Sequence, residues 1–124
     1  MSLTISHTTK SYPRLPYEKI KNEILGNKYS LSLVFLGETR AQKLNQETRK
    51  KNYVPNVLSF ELDKSAGEIF ITPAVARREA AGFDHTYNEH ICYLFIHGLL
   101  HLKGLDHGPK MDKLEEKYLN KYNK

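Results

Sequence analysis

Residues 95–108 read "FIHGLLHLKGLDHG" and set three histidines into a stretch otherwise apolar enough to be a buried helix. Just upstream, Thr86 and Glu89 in "TYNE" have the spacing of a capping box, so a helix starts there and runs on through "ICYLFIHGLLHL", apolar nearly all the way round. The pattern predicts a central, buried helix that Gly104 stops, after which "LDHGP" turns the chain. His97 and His101 are four residues apart and share one face of that helix. The glycine stop lets the backbone reverse and bring His107 back to the same point. Three neutral imidazoles then converge, and zinc suits such a set, with a fourth position left for water as in hydrolytic centres. The alternative is three histidines placed independently; an apolar setting that penalises unpaired imidazoles favours the metal.

The segments around this helix alternate two periods. "LTISH" puts Leu3, Ile5 and His7 on one side of a short strand, and "YSLSLVFLG" aligns Leu31, Leu33 and Phe35. Between them "YEKIKNEILG" carries Tyr17, Ile20 and Ile24 on one helical stripe, after Pro13 and Pro16 and before Gly26, so the chain opens as a βαβ unit. "ETRAQKLNQETR", residues 38–49, is helical by propensity, with Ala41 and Leu44 facing inward. "NVLSFEL" and "GEIFIT" are two further strands joined by the short "DKSAG". Thr72 is expected to cap a helix with Pro73 at its first position, ending near Gly82. Met111, Leu114, Tyr118 and Tyr122 form one stripe of a last amphipathic helix. The expected fold is α+β: one compact domain over residues 1–124, an about four-stranded mixed sheet packed with helices, and a central metal-binding helix.

Composition narrows the function classes. No run approaches the ~18 consecutive apolar residues of a membrane span. The first residues, "MSLTISHTTKSYPRL", lack the apolar core of a signal peptide, so a cytoplasmic location is expected. The single Cys92 forms no intrachain disulfide and reads as a small buried hydrophobe. Nineteen Lys and Arg against fourteen Asp and Glu give a net charge of +5, which would help hold a polyanion but is equally met by solvated helix faces.

The spacing H-x3-H-x2-G-x2-H is also that of metzincin proteases, H-E-x-x-H-x-x-G-x-x-H. Their general base would sit at position 98, where this chain has Gly98. A metzincin-like metalloprotease is therefore a weak reading.

The segment from His97 to His107, HGLLHLKGLDH, is similar to H-G-x-L-H-L-x-G-x-D-H, the hallmark of the bacterial rRNA-maturation endoribonucleases of the YbeY type. "LNQETRKKNYVPNVLSFEL" resembles that family's Asn, Arg and N-V-L-S-F segment, "GEIFIT" its G-D-hydrophobic strand, and "MDKLEEKYL" its closing helix, so the resemblance covers about residues 29–122. Glu68 stands where the family usually has Asp, and "YVP" at 53–55 replaces a more usual Pro-Thr pair. The resemblance implies a compact α+β domain holding zinc and single-strand-selective RNA cleavage. It also implies work on 16S rRNA 3′ ends and in ribosome quality control, so the expected partners are a 16S rRNA precursor and possible small-subunit or assembly proteins.

Residue by residue, the resemblance makes His97, His101 and His107 the metal ligands and places Arg49 by the cleft, where a guanidinium could clamp a phosphate and offset transition-state charge. A solvated arginine closing a helix is the alternative. Asn56 and Ser59 are candidate phosphate or supporting donors, although a strand serine is more often structural. Asp106, beside a ligand, could fix a histidine tautomer or cap the turn. His90 shares nearly the same helical face as His97 but lies ~10 Å away, and reads as a groove-lining or satisfied polar residue. His7 and His85 read as surface residues. The rival from another class is a non-catalytic ribosome-assembly factor whose zinc staples the domain.

Overall fold

The computed structural model describes residues 2–122, and among them four strands and five helices form. The order is β1 (Leu3–His7), α1 (Tyr17–Leu25), β2 (Ser30–Phe35), α2 (Glu38–Arg49), β3 (Val57–Asp63) and β4 (Ala66–Ile71). Then come α3 (Pro73–Glu79), a 3-10 turn (Ala80–Phe83), α4 (Tyr87–Leu102) and α5 (Pro109–Tyr122). The sheet runs β1-β2-β4-β3, with β1, β2 and β4 parallel and β3 antiparallel to β4, which is the mixed four-stranded sheet the sequence pattern implies.

Local chemistry accounts for these elements. Tyr17, Ile20 and Ile24 are the buried stripe of α1, and Gly26 ends it at φ +96, a conformation side chains resist. In β2 the buried residues are Leu31, Leu33 and Phe35, alternating with more open positions as a one-sided strand requires. The capping box at Thr86 and Glu89 is present in full, so α4 begins where its sequence says it does.

α4 is the hub. It packs on β3 and β4 and touches α1, α3 and α5, with Ile91, Leu94, Phe95, Ile96, Leu99 and Leu100 all in the core. Gly98 permits this closeness: a Cβ there would stand 3.0 Å from Ile69 Cδ1 of β4. Cys92 is buried in the same core and its thiol is pushed up to about 11 by that burial, an inert hydrophobe as expected.

Three expectations change. The inward residues of α2 are Ala41 and Asn45, with Leu44 half-buried, because the Asn45 amide is satisfied by donating to the Tyr53 carbonyl at 2.9 Å. Thr72 occupies the N-cap of α3 without a capping bond from its hydroxyl, and α3 ends at Glu79 before passing into the 3-10 turn. His85 is not a free surface residue: it is half-buried, stacks on Phe83 and meets His90 at 3.0 Å between Nδ1 atoms.

Candidate metal centre

The sequence brings the three histidines together in two ways. One turn of α4 aligns His97 and His101. Gly104, at φ +105, then reverses the chain, with the Gly104 and Leu105 amides donating to the carbonyls of His101 and Leu100. One nitrogen from each of His97, His101 and His107 lies within 4.8 Å of the others.

Their tautomers are set from behind. His97 Nδ1 donates to Oε2 of Glu115 on α5, and His101 Nδ1 donates to the Leu105 carbonyl at 3.1 Å. Both partners are acceptors, so the proton of each neutral ring sits on Nδ1 and each Nε2 keeps its lone pair. Those two Nε2 atoms stand 3.1 Å apart. Facing lone pairs at that distance repel unless a cation lies beside them; nitrogens ligating one small tetrahedral ion at about 2.0–2.1 Å stand about 3.3 Å apart. The donor set therefore fits a metal ion. Burial first, then the neighbouring His97 and His107, holds His101 below the usual histidine range and so neutral, as a ligand must be.

The histidines line a cavity of about 700 Å³ that also takes in Arg49, Asn56, Ser59 and Tyr93. Arg49 closes α2, is exposed, and donates from Nη1 to Asn45 Oδ1 at 3.3 Å, so a buried asparagine holds one edge of its guanidinium. Asn56 lines the cavity, donates from Nδ2 to Glu79 Oε1 at 2.8 Å and accepts from the Val57 amide at 2.6 Å. Ser59 lies on the β3 wall, half-buried.

His90 is fully buried and outside the cavity lining. It donates from Nε2 to Glu79 at 2.9 Å, which leaves Nδ1 to accept from His85. It is a satisfied polar group, the second of the two readings its position allowed. Asp106 is exposed with no side-chain partner among the described residues; the carboxylate that touches one of the three imidazoles, that of His97, is Glu115's.

Glu115 and Glu79 are the residues that sequence reasoning missed. Glu115 is only 7% exposed in its side chain and falls four residues after buried Met111, on the inward stripe of α5. An acidic residue where the stripe calls for an apolar one was the available signal.

Fold and site together define a small α+β domain with a three-histidine centre open to a cleft. The family profile described as "Endoribonuclease YbeY" matches residues 4–123, and the chain belongs to that family. Similar proteins carrying the same description include one from Thermosipho melanesiensis, 33% identical over 98% of this chain and 94% of its own length. Another, from Mesoplasma florum, is 39% identical over 82% of this chain. A third, from Bdellovibrio bacteriovorus, is 46% identical over 62% of this chain. The match spans 64% of the Mesoplasma protein's length and 53% of the Bdellovibrio protein's. The solution structure of a Thermotoga maritima protein superposes with a TM-score of 0.66 at 24% identity, over 94% of this chain and 86% of that one, which extends the likeness to the fold.

Proposed function

We propose that the chain is a metal-dependent endoribonuclease that cuts single-stranded RNA, with zinc held by His97, His101 and His107. The carrying observation is that these imidazoles, with two lone pairs fixed towards one point, lie in the same cavity as a partly anchored arginine. Family membership supports the reaction class, and the net charge of +5 suits a polyanionic substrate.

When bound, zinc supplies Lewis acidity at a phosphoryl oxygen and lowers the pKa of water towards about 7. Glu115 and the Leu105 carbonyl hold His97 and His101 in the tautomer and orientation that ligation needs. Arg49 binds the scissile phosphate and stabilises charge that grows on its oxygens in the transition state. Asn56, locked by Glu79 and the Val57 amide, shapes the wall of the cleft, and Ser59 offers a hydroxyl on the β3 side. Gly98 leaves the protease base absent, and a side chain there would place a Cβ 3.0 Å from Ile69 Cδ1, so the Ile69 side chain would have to give way.

The biological role we propose is maturation of 16S rRNA 3′ ends and ribosome quality control in the cytoplasm, on the precursor RNA and alongside small-subunit or assembly proteins. No helix among the described residues is long and apolar enough to cross a membrane. The deciding experiment incubates purified protein with a single-stranded rRNA fragment, with and without chelator, beside His101→Ala. Cleavage should vanish on chelation, return with zinc and be absent from the variant. A 2′,3′-cyclic phosphate on the products marks attack by the RNA 2′-hydroxyl. Tight RNA binding without cleavage would turn the reading into that of an assembly factor.

A further inference from the structure

Three large apolar side chains are conspicuously exposed among the described residues, and two of them, Tyr53 at 54% and Phe83 at 50%, line the same cavity as the histidines and Arg49. Large aromatic faces left in water cost free energy, and two on one cleft form a patch rather than scattered exposure. Neither is a loose side chain on a free loop. The Tyr53 carbonyl is tied to buried Asn45, the residue that also holds Arg49. Phe83 ends the 3-10 turn, where Asp84 turns the chain at φ +56 and the His85 amide donates to the Ala80 carbonyl. Its ring stacks on His85 at 5.7 Å and lies 5.6 Å from Tyr93, whose ring is 6.2 Å from ligand His97.

The two segments are also joined to each other. Asn56, three residues after Tyr53, donates to Glu79, four residues before Phe83. This gives a role to two histidines the proposed chemistry does not otherwise use: with Glu79, His85 and His90 brace the turn that carries Phe83 and link it through Asn56 to the strand that follows Tyr53.

Resting on the ribonuclease reading, we infer that Tyr53 and Phe83 form a base-stacking subsite that takes unpaired nucleobases flanking the phosphate held by Arg49. Aromatic faces beside a cationic group are how sequence-tolerant sites hold single-stranded nucleic acid, because every base has a π-face and only an unpaired base can leave its own stack. The selectivity for single strands then comes from these two rings, and the metal and Arg49 act on the phosphate whatever its bases.

The test uses the zinc-loaded protein and its Phe83→Leu, Tyr53→Leu and double variants. Leucine keeps apolar contact with Tyr93 and removes the π-face. Each is assayed on a short single-stranded RNA, the same RNA in a duplex, and a series carrying one abasic nucleotide at successive positions. Each single variant should bind the single strand roughly 10-fold more weakly, with the loss in KM, and Phe83→Trp should restore it. An abasic nucleotide at the stacked position should weaken wild type by the same factor and leave the matching variant no weaker, while preference for single strand over duplex shrinks. Zinc content and melting temperature report folding and should hold. Wild type that cuts RNA while both variants keep its KM and strand preference overturns the stacking subsite and leaves the nuclease reading intact. Wild type that neither binds nor cuts any RNA defeats that reading and this one together.

Discussion

Glu115→Ala is the sharpest probe of how the centre is built. Its carboxylate and His97 are only 7% and 17% exposed, so the hydrogen bond between them sits largely out of water. Losing a bond to a charged group in such a place costs about 1.5–3 kcal/mol, and the metal-free variant should be destabilised by that order. Metal affinity should drop as well, because His97 loses the acceptor that fixes its tautomer. Loss of such a partner typically weakens metal binding roughly 10–100-fold, or about 1.4–2.7 kcal/mol of further stabilisation at saturating metal. The zinc-loaded variant is thus expected to lose about 3–6 kcal/mol in all, and Glu115→Gln, which keeps an acceptor oxygen, less than half of it. Zinc affinity by competition with a chromophoric chelator, and denaturant unfolding with and without zinc, separate the two contributions. A Glu115→Ala protein that binds zinc within threefold of wild type would refute the idea that α5 sets the ligand from behind.

Arg49→Ala should lower RNA cleavage by about 10²-fold with zinc content and melting temperature near wild type, since the residue is exposed, and Lys should rescue only in part; a fall in cleavage that merely tracks lost zinc or a lowered melting temperature would make the arginine structural. Zinc removal itself should cost about 4 kcal/mol of stability at a thousandfold excess over Kd, read as a drop in melting temperature that added zinc reverses. Burial and then His90 hold His85 below the usual histidine range. Its neutral form is favoured in the folded state, so its contribution is intact above about pH 6.5 and is lost as pH falls through the lower folded value. The acid-induced fall in stability should therefore be shallower in His85→Asn, measured by urea titration between pH 7.5 and 5; an identical fall would show that His85 does not titrate against folding.

The fold was legible because its signals are local. The capping box at Thr86, the proline-bounded stripe of α1 and the alternation in β2 each report a periodicity that burial then uses, and β1, α1 and β2 had to pair in parallel once they were read as strand, helix, strand. Asn45 was passed over and His85 misplaced for the opposite reason. Polarity suggests solvent, but their partners, the Tyr53 carbonyl and the His90 ring, reach them only when the chain has folded. Three-dimensional satisfaction of a polar group leaves no mark on the pattern of apolar residues.

The same distinction divides the site. Its three histidines lie within eleven positions and carry their own geometry, one helical turn and one glycine reversal, so the sequence alone could assemble them. The groups that make the ligands work do not. Glu115 reaches His97 from the next helix, and Arg49 and Tyr53 come from the end of α2 and the segment that leads into β3. Gly98 shows how the two levels meet. Read along the chain it was only a missing protease base; in the fold it lets α4 pack closely on Ile69 of β4, in the wall of the cavity that the histidines and β3 share. A side chain at 98 would have to displace the Ile69 side chain by a few tenths of an ångström in a closely packed core. The glycine that leaves the protease base absent is thus also the residue that brings α4 against β4.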